Sequence, residues 1–138
     1  MSKKEIYAKN NEKYIVTATA DGFDYTLDYV SKNPNKKSQG TSPTGLLLNA
    51  LAGCQLMTAR SFFNRRKIEV NDLEVKVSGD FNRTLDGWEM KADAVLTVDA
   101  SLDSTEEANL LQFIDQFCTV SGVLAPGNEI NLSIEYRH

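Results

Sequence analysis

The chain holds one histidine, and it is the last residue, His138. A Ser-His-Asp triad or a Cys-His dyad would have to recruit a terminal side chain that frays easily, so neither is expected. A zinc centre of cysteine and histidine is equally starved, because only Cys54 and Cys118 would join that imidazole. CxxC pairs, P-loops and GxGxxG patterns are missing as well. No apolar run approaches the ~18 residues of a membrane-spanning helix. The basic clusters are short, Arg65-Arg66-Lys67 and Lys36-Lys37, and read as solvated surface. With a formal net charge of −4 the chain repels phosphate backbones, so neither nucleic acid nor membrane is an expected partner. The opening residues Met1-Ser2-Lys3-Lys4-Glu5 have no apolar stretch behind them and do not read as a signal peptide. The expectation is a cytoplasmic, reducing location in which the two cysteines are free thiols or a transient catalytic pair.

What is present is the make-up of an ordinary globular chain. Apolar residues are 41% and charged residues 25% of 138, enough for one domain over 1–138 with a core that needs no staples. Tyr14 to Ala20 and Phe23 to Val30 flank Asp21-Gly22, which predicts a β-hairpin, with a short strand before it near Glu5 to Ala8. Residues 31–40 are polar, contain Pro34 and Gly40, and read as a loop. Thr41 or Ser42 then caps a helix with Pro43 in its first turn, running to about Arg66. Apolar residues from Leu46 to Ala59 wrap nearly all the way round that helix, so it should be buried on every side. A chain this small hardly surrounds such a helix alone, and a dimer is inferred to complete the cover.

Leu73 to Phe81 and Trp88 to Ala100 alternate with period two around Asp86-Gly87, predicting a second, long hairpin. Ser104 with Glu107 suggests a capping box opening a helix from Thr105 to Phe117. Cys118 follows, then a short helix or turn over Thr119 to Leu124, Pro126-Gly127, and a last strand from Glu129 to Tyr136. The order predicts an α+β fold with antiparallel sheet.

The thiols carry the chemical potential. Cys54 lies within the most apolar helix, where a free cysteine packs as a small hydrophobe and apolar surroundings disfavour its thiolate. Cys118 sits at a helix junction. There the N–H groups of Thr119, Val120 and Ser121 would favour a thiolate, while simple burial accounts for the residue nearly as well. Two thiols suit peroxide reduction: one attacks the O–O bond, and the second traps the resulting sulfenic acid as a disulfide.

The run Ser42-Pro43-Thr44-Gly45-Leu46-Leu47-Leu48-Asn49-Ala50-Leu51-Ala52-Gly53-Cys54 resembles the long-helix motif of the OsmC/Ohr family, the osmotically inducible protein C and organic hydroperoxide resistance proteins. The run Cys118-Thr119-Val120-Ser121-Gly122-Val123-Leu124 resembles that family's second cysteine motif, and the order of elements agrees over nearly the whole chain. The resemblance implies an intertwined α+β homodimer, its antiparallel sheets wrapped around long buried central helices, with active sites at the subunit interface. It implies Cys54 as the peroxide-attacking thiol and Cys118 as the resolving thiol. The substrate would be a small organic hydroperoxide and the reductant a dithiol, of lipoyl type in the best-known branch, with no cofactor and no metal. Two positions depart from the family. Thr44 stands where catalytic members carry Glu, and Ala20-Asp21-Gly22 stands where they carry a turn Arg. Without that cation the thiolate is harder to form. Arg60 lies off the face of Cys54, and Arg65, Arg66 and Arg83 read as surface arginines or as donations from a partner subunit. The alternative reading is therefore a non-catalytic dimer that binds a small apolar ligand or serves as a redox sensor.

Overall fold

Asp21 and Gly22 both take left-handed backbone, φ 52° and 82°. This is what a two-residue hairpin turn needs and what Asp-Gly supplies at small steric cost. In the computed structural model, which describes residues 3–137 (the side chains of residues 11 and 12 apart), that turn joins β2 (Ile15–Ala20) to β3 (Phe23–Leu27). His138 lies outside the described residues. A longer first strand than expected, β1 (Tyr7–Glu12), pairs with the other edge of β2, and this sheet is antiparallel throughout. The second arm ends at Leu27 rather than Val30 because Asp28 turns to its own loop. Its carboxylate accepts hydrogen bonds from the amides of Tyr29 (2.8 Å) and Gln39 (2.9 Å), and its amide donates to the Thr41 carbonyl (3.0 Å).

Gly40 closes this loop where no side chain fits: a Cβ there would fall 2.1 Å from the Thr26 carbonyl oxygen. A strand backbone cannot yield as a flexible side-chain tip does. Gly40→Ala is expected to cost about 1–3 kcal/mol, the range for overpacked sites. Gly122→Ala, whose Cβ would meet nothing within 4 Å, should instead shift stability by no more than about 1 kcal/mol, in the favourable direction for a helical position. Denaturant unfolding of the two variants against the parent checks the contrast.

The chain divides into two compact units, residues 1–47 and 48–138. Helix α1 (Pro43–Arg66) starts in the first and continues through the second, with the predicted bounds. Ser42 opens it, its hydroxyl accepting from the Gly45 amide at 3.1 Å, and Pro43 loses nothing in a first turn whose N–H groups are unpaired anyway. Within one chain α1 is covered along one face, by burial of Leu51, Gln55, Ala59, Phe62 and Phe63. Met57, on another face, remains 77% exposed. The all-round apolar pattern thus exceeds what a single chain covers.

In the second unit β4 (Leu73–Thr84) and β5 (Gly87–Val98) form the long hairpin. The turn residues are Leu85 and Asp86, one position earlier than expected, because Gly87 (φ 144°) already pairs with Thr84 as a strand residue. Helix α2 (Ser104–Phe117) also starts one residue early. Asp103, not Ser104, is the cap: it accepts from the Glu106 amide at 2.7 Å, and the Glu106 carboxylate accepts from the Asp103 amide at 3.4 Å. Acids at both positions suit a helix N-terminus, and either spacing satisfies the capping-box pattern.

The expectation of antiparallel sheet fails for the last strand. β6 (Glu129–Tyr136) runs parallel to β5, from Lys91↔Glu129 to Val98↔Tyr136. The reason is the connection. Helices α2 and α3 (Thr119–Leu124) carry the chain from the end of β5 back to its beginning, and a helical crossover of this kind delivers a parallel strand. Asn128 fixes the entry, accepting from the Met90 amide (2.7 Å) and donating to the Leu124 carbonyl (2.6 Å). Tyr136 ties the other end of β6 to α2, its hydroxyl donating to the Glu107 carboxylate at 2.8 Å. The α+β class stands, with an order β4-β5-β6 in this sheet. Its core joins Phe62 and Phe63 of α1, Leu96 and Val98 of β5, and Leu110, Ile114 and Cys118 from α2 and its end. Among the described residues no helix is long and apolar enough to cross a membrane.

Candidate functional site

Cys54 and Cys118, 64 positions apart in sequence, come together in the second unit. Cys54 is half-buried on α1 and packs against the cluster that contains Cys118, which is 2% exposed. Cys54 stands near enough to Cys118 to raise its pKa. Both are free.

Their surroundings differ. Cys118 is the junction residue: its amide closes α2 on the Ile114 carbonyl (2.9 Å), and its carbonyl accepts from the Gly122 amide (3.0 Å) and the Ser121 hydroxyl (3.2 Å). Burial pushes its thiol above the ordinary 9.0. The hydroxyl and amide of Ser121 work in the other direction, and a hydrogen bond and like charge from Cys54 add to the rise. The sequence suggested that helix N–H groups would favour a thiolate here. Burial outweighs them, because removing an anion from water costs more than a few partial charges return.

Cys54 faces a cavity of about 590 Å³. Its wall along α1 is the stripe Ala50, Gly53, Cys54, Met57, Thr58, Ser61 and Arg65, spaced three and four residues apart as one helix face requires. Phe113 and Phe117 of α2 and Thr119 of α3 line its other side. Gly53 has open space where a Cβ would stand. The chamber is thus apolar at its aromatic side, with hydroxyls and one guanidinium along the helix.

The arginines sort themselves by contact. Arg60 is committed to the carbonyls of Val70 and Asn71, so it does not serve Cys54. Arg66 lies over the Phe62 ring (5.0 Å) and Arg83 over Trp88 (5.6 Å). Arg65 lies over Phe113 at 5.8 Å and on the cavity wall. Its backbone is eleven residues from Cys54, about 17 Å along the helix, out of direct contact with the thiol. Sequence reading treated it as surface; its spacing of eleven from Cys54, three turns on the same face, was the available signal. Among the described residues no three acidic, cysteine or histidine side chains converge as a metal site would.

The model of the OsmC-like protein family matches residues 35–133. This chain belongs to the OsmC-like family. A hydroperoxide reductase of Mycoplasma pneumoniae is 28% identical to it, across 97% of this chain and 96% of that protein. The crystal structure of an OsmC like protein from Mycoplasma pneumoniae matches with a TM-score of 0.80 at 28% identity, covering 99% of each chain. An organic hydroperoxide resistance protein OsmC from Legionella pneumophila shares the fold at a TM-score of 0.74 and 20% identity, over 98% of each chain. The α+β architecture is therefore the OsmC-like one, and both cysteines fall within the matched segment.

Proposed function

We propose that this OsmC-like protein reduces organic hydroperoxides with Cys54 and Cys118 as a working pair. The observation that carries the reading is one half-buried thiol on an apolar cavity with a second, buried thiol in reach behind it. The M. pneumoniae relative named a hydroperoxide reductase supports the same chemistry. The Cys54 thiolate attacks one peroxide oxygen, the O–O bond breaks, and the alkoxide leaves as the alcohol after taking a proton. Cys54 is then a sulfenic acid. The Cys118 thiolate displaces its hydroxyl, giving the Cys54–Cys118 disulfide and water. A cellular dithiol, of lipoyl type, restores both thiols by exchange. The chemistry suits a reducing cytoplasm.

The test is rapid mixing of the reduced protein with an organic hydroperoxide, with thiol counting and intact mass. Two thiols lost per subunit, faster than a free model thiol and with an intramolecular disulfide, is the expected result. Loss at the model-thiol rate would sink the proposal. A second reading has its own support: Thr44 and Ala20-Asp21-Gly22 supply neither the acid nor the cation of catalytic relatives. On that reading the cavity holds an apolar ligand or the pair senses oxidants, and ligand stabilises the fold while thiol oxidation is slow.

The same proposal includes a homodimer in which residues 1–138 act as one domain and α1 is covered by its counterpart. Met57, 77% exposed, and the open space at Gly53 motivate it. Burying a methionine is worth roughly 1.5–3 kcal/mol per copy. Met57→Lys is therefore expected to weaken dimerisation at least about tenfold, since 1.4 kcal/mol is a factor of ten. Light scattering across a dilution series reads this; a parent that is monomeric at high concentration refutes the dimer.

A further inference from the structure

Gln55 is the residue after Cys54 and points to the other side of α1. It is 1% exposed, and its Oε1 accepts no hydrogen bond. A buried amide oxygen with no donor is uncommon in a packed core, and it marks a place where a small donor belongs. The Gln55 side chain lines a cavity of about 260 Å³ between α1, α2, α3 and β6. Apolar Ile114 and Leu132 form part of its wall, and Ser121 and Asp115 supply the other polar groups. Rotation about the loosely held χ3 of glutamine presents either its oxygen or its NH2 to that space. The volume takes water, and Gln55, Ser121 and Asp115 put polar groups on its wall.

Ser121 links this chamber to the redox pair. It lines the cavity, its hydroxyl donates to the Cys118 carbonyl at 3.2 Å, and it works to lower the Cys118 pKa. The Cys54 cavity shares none of these groups.

We propose that Gln55 and Ser121 hold an ordered water behind Cys118 that receives the Cys118 proton as the disulfide closes. The inference rests on the two-cysteine reading above and adds a proton route to its second step. The Ser121 hydroxyl turns from the Cys118 carbonyl to the water as it takes the Cys118 proton, its own proton passes to the water and on to solvent past Asp115, and Cys118 is left as the thiolate. The sulfur electron pair forms the S–S bond to Cys54, and the S–O bond of the sulfenic acid breaks. The departing hydroxide takes a proton to become water, so charge and atoms balance. Gln55 is a positioning residue here, since it acts through the water. Burial raises the Cys118 thiol above its ordinary value, which is why a dedicated acceptor matters for this step.

The experiment follows both steps in the full-length protein. One equivalent of organic hydroperoxide is mixed with it, and the reaction is quenched at intervals for mass analysis of sulfenic acid and disulfide. In Gln55→Met the ratio of the closing rate to the Cys54 oxidation rate should fall at least about tenfold, the low side of what a positioned proton carrier supplies. The closing step should also lose its parental solvent deuterium isotope effect, which a purely structural role would leave alone. Ser121→Ala should behave likewise, and Ser121→Thr, which keeps the hydroxyl, should restore the ratio. Methionine replaces an unpaired polar group by an apolar one of similar length, so the fold is expected to persist, as a thermal melt checks. An unchanged ratio and isotope effect in Gln55→Met would overturn the water. Failure of the parent to oxidise Cys54 would instead refute the two-cysteine reading itself.

Discussion

Cys54→Ser should consume organic hydroperoxide no faster than buffer does, while Cys118→Ser should oxidise Cys54 but close no disulfide. The asymmetry follows from position. In the proposed cycle Cys54, on the cavity wall, meets the peroxide first, and Cys118, 2% exposed, reacts only with Cys54. Without Cys118 the sulfenic acid has no internal thiol to close on, and excess peroxide drives it to sulfinic acid. The mass readout separates the variants: no added oxygen at residue 54 in the first, one and then two in the second, one disulfide and no added oxygen in the parent. Turnover with a dithiol should fall by about 10²-fold or more in both, the scale on which a nucleophilic step is lost when its partner is removed.

The closing step also has a pH signature with a definite sign. In the proposed cycle Cys118 attacks as the thiolate, and its folded value is raised above 9.0, chiefly by burial. The reactive fraction therefore grows about tenfold per pH unit through the neutral range. Closing in the parent should accelerate steadily from pH 7 toward pH 9, with no plateau below the ordinary thiol value. A plateau near neutrality would mean that Ser121 or the oxidised Cys54 outweighs burial. A serine at 54 that still consumes hydroperoxide at the parental rate would remove the peroxidase reading altogether.

Sequence patterns reached the elements better than their assembly. Strand alternation and the Asp21-Gly22 turn located the first hairpin, and Ser42-Pro43 located the start of α1, because those signals are local and each residue carries its own reason. The β6 direction was missed although its cause, the α2–α3 crossover, stood in the sequence order. Pairing direction is a property of the connection, and strand composition does not encode it. The cap at Asp103 slipped by one residue because Asp103-Ser104-Thr105-Glu106-Glu107 satisfies the capping-box spacing twice. At the site, each cysteine was legible as a candidate. Their meeting was not, since sequence distance says nothing of contact across 64 positions. Arg65 was read as a surface arginine or a donation from a partner subunit, and Gln55 carried no signal of its own; the cavities they line give them their chemical setting.

The same core that brings the thiols together sets the largest expected loss of stability. Phe63 is fully buried on α1, stacked edge-on against Phe62 at 5.6 Å, in the cluster that includes Leu96, Leu110, Ile114 and Cys118. Phe63→Ala removes the ring and leaves a cavity that α1 and β5 cannot both close, at a cost of about 3–5 kcal/mol. A chain of this size has roughly 5–15 kcal/mol in total. The melting temperature should therefore drop by roughly 6–20 °C, given about 2–4 °C per kcal/mol. Trp88→Ala, a larger deletion at a residue 67% exposed, should cost no more than about 1 kcal/mol, as exposed substitutions do. If the two variants melt alike, burial of Phe63 is not what holds α1 in place. The consequence reaches the chemistry, because Cys54 is half-buried against this cluster and Cys118 belongs to it. A core loosened at Phe63 should lengthen the life of the sulfenic acid at temperatures well below the melt, as Cys118 spends less time in register with Cys54. Disulfide closing would then slow before the protein unfolds, linking the packing of one phenylalanine to the second half of the proposed cycle.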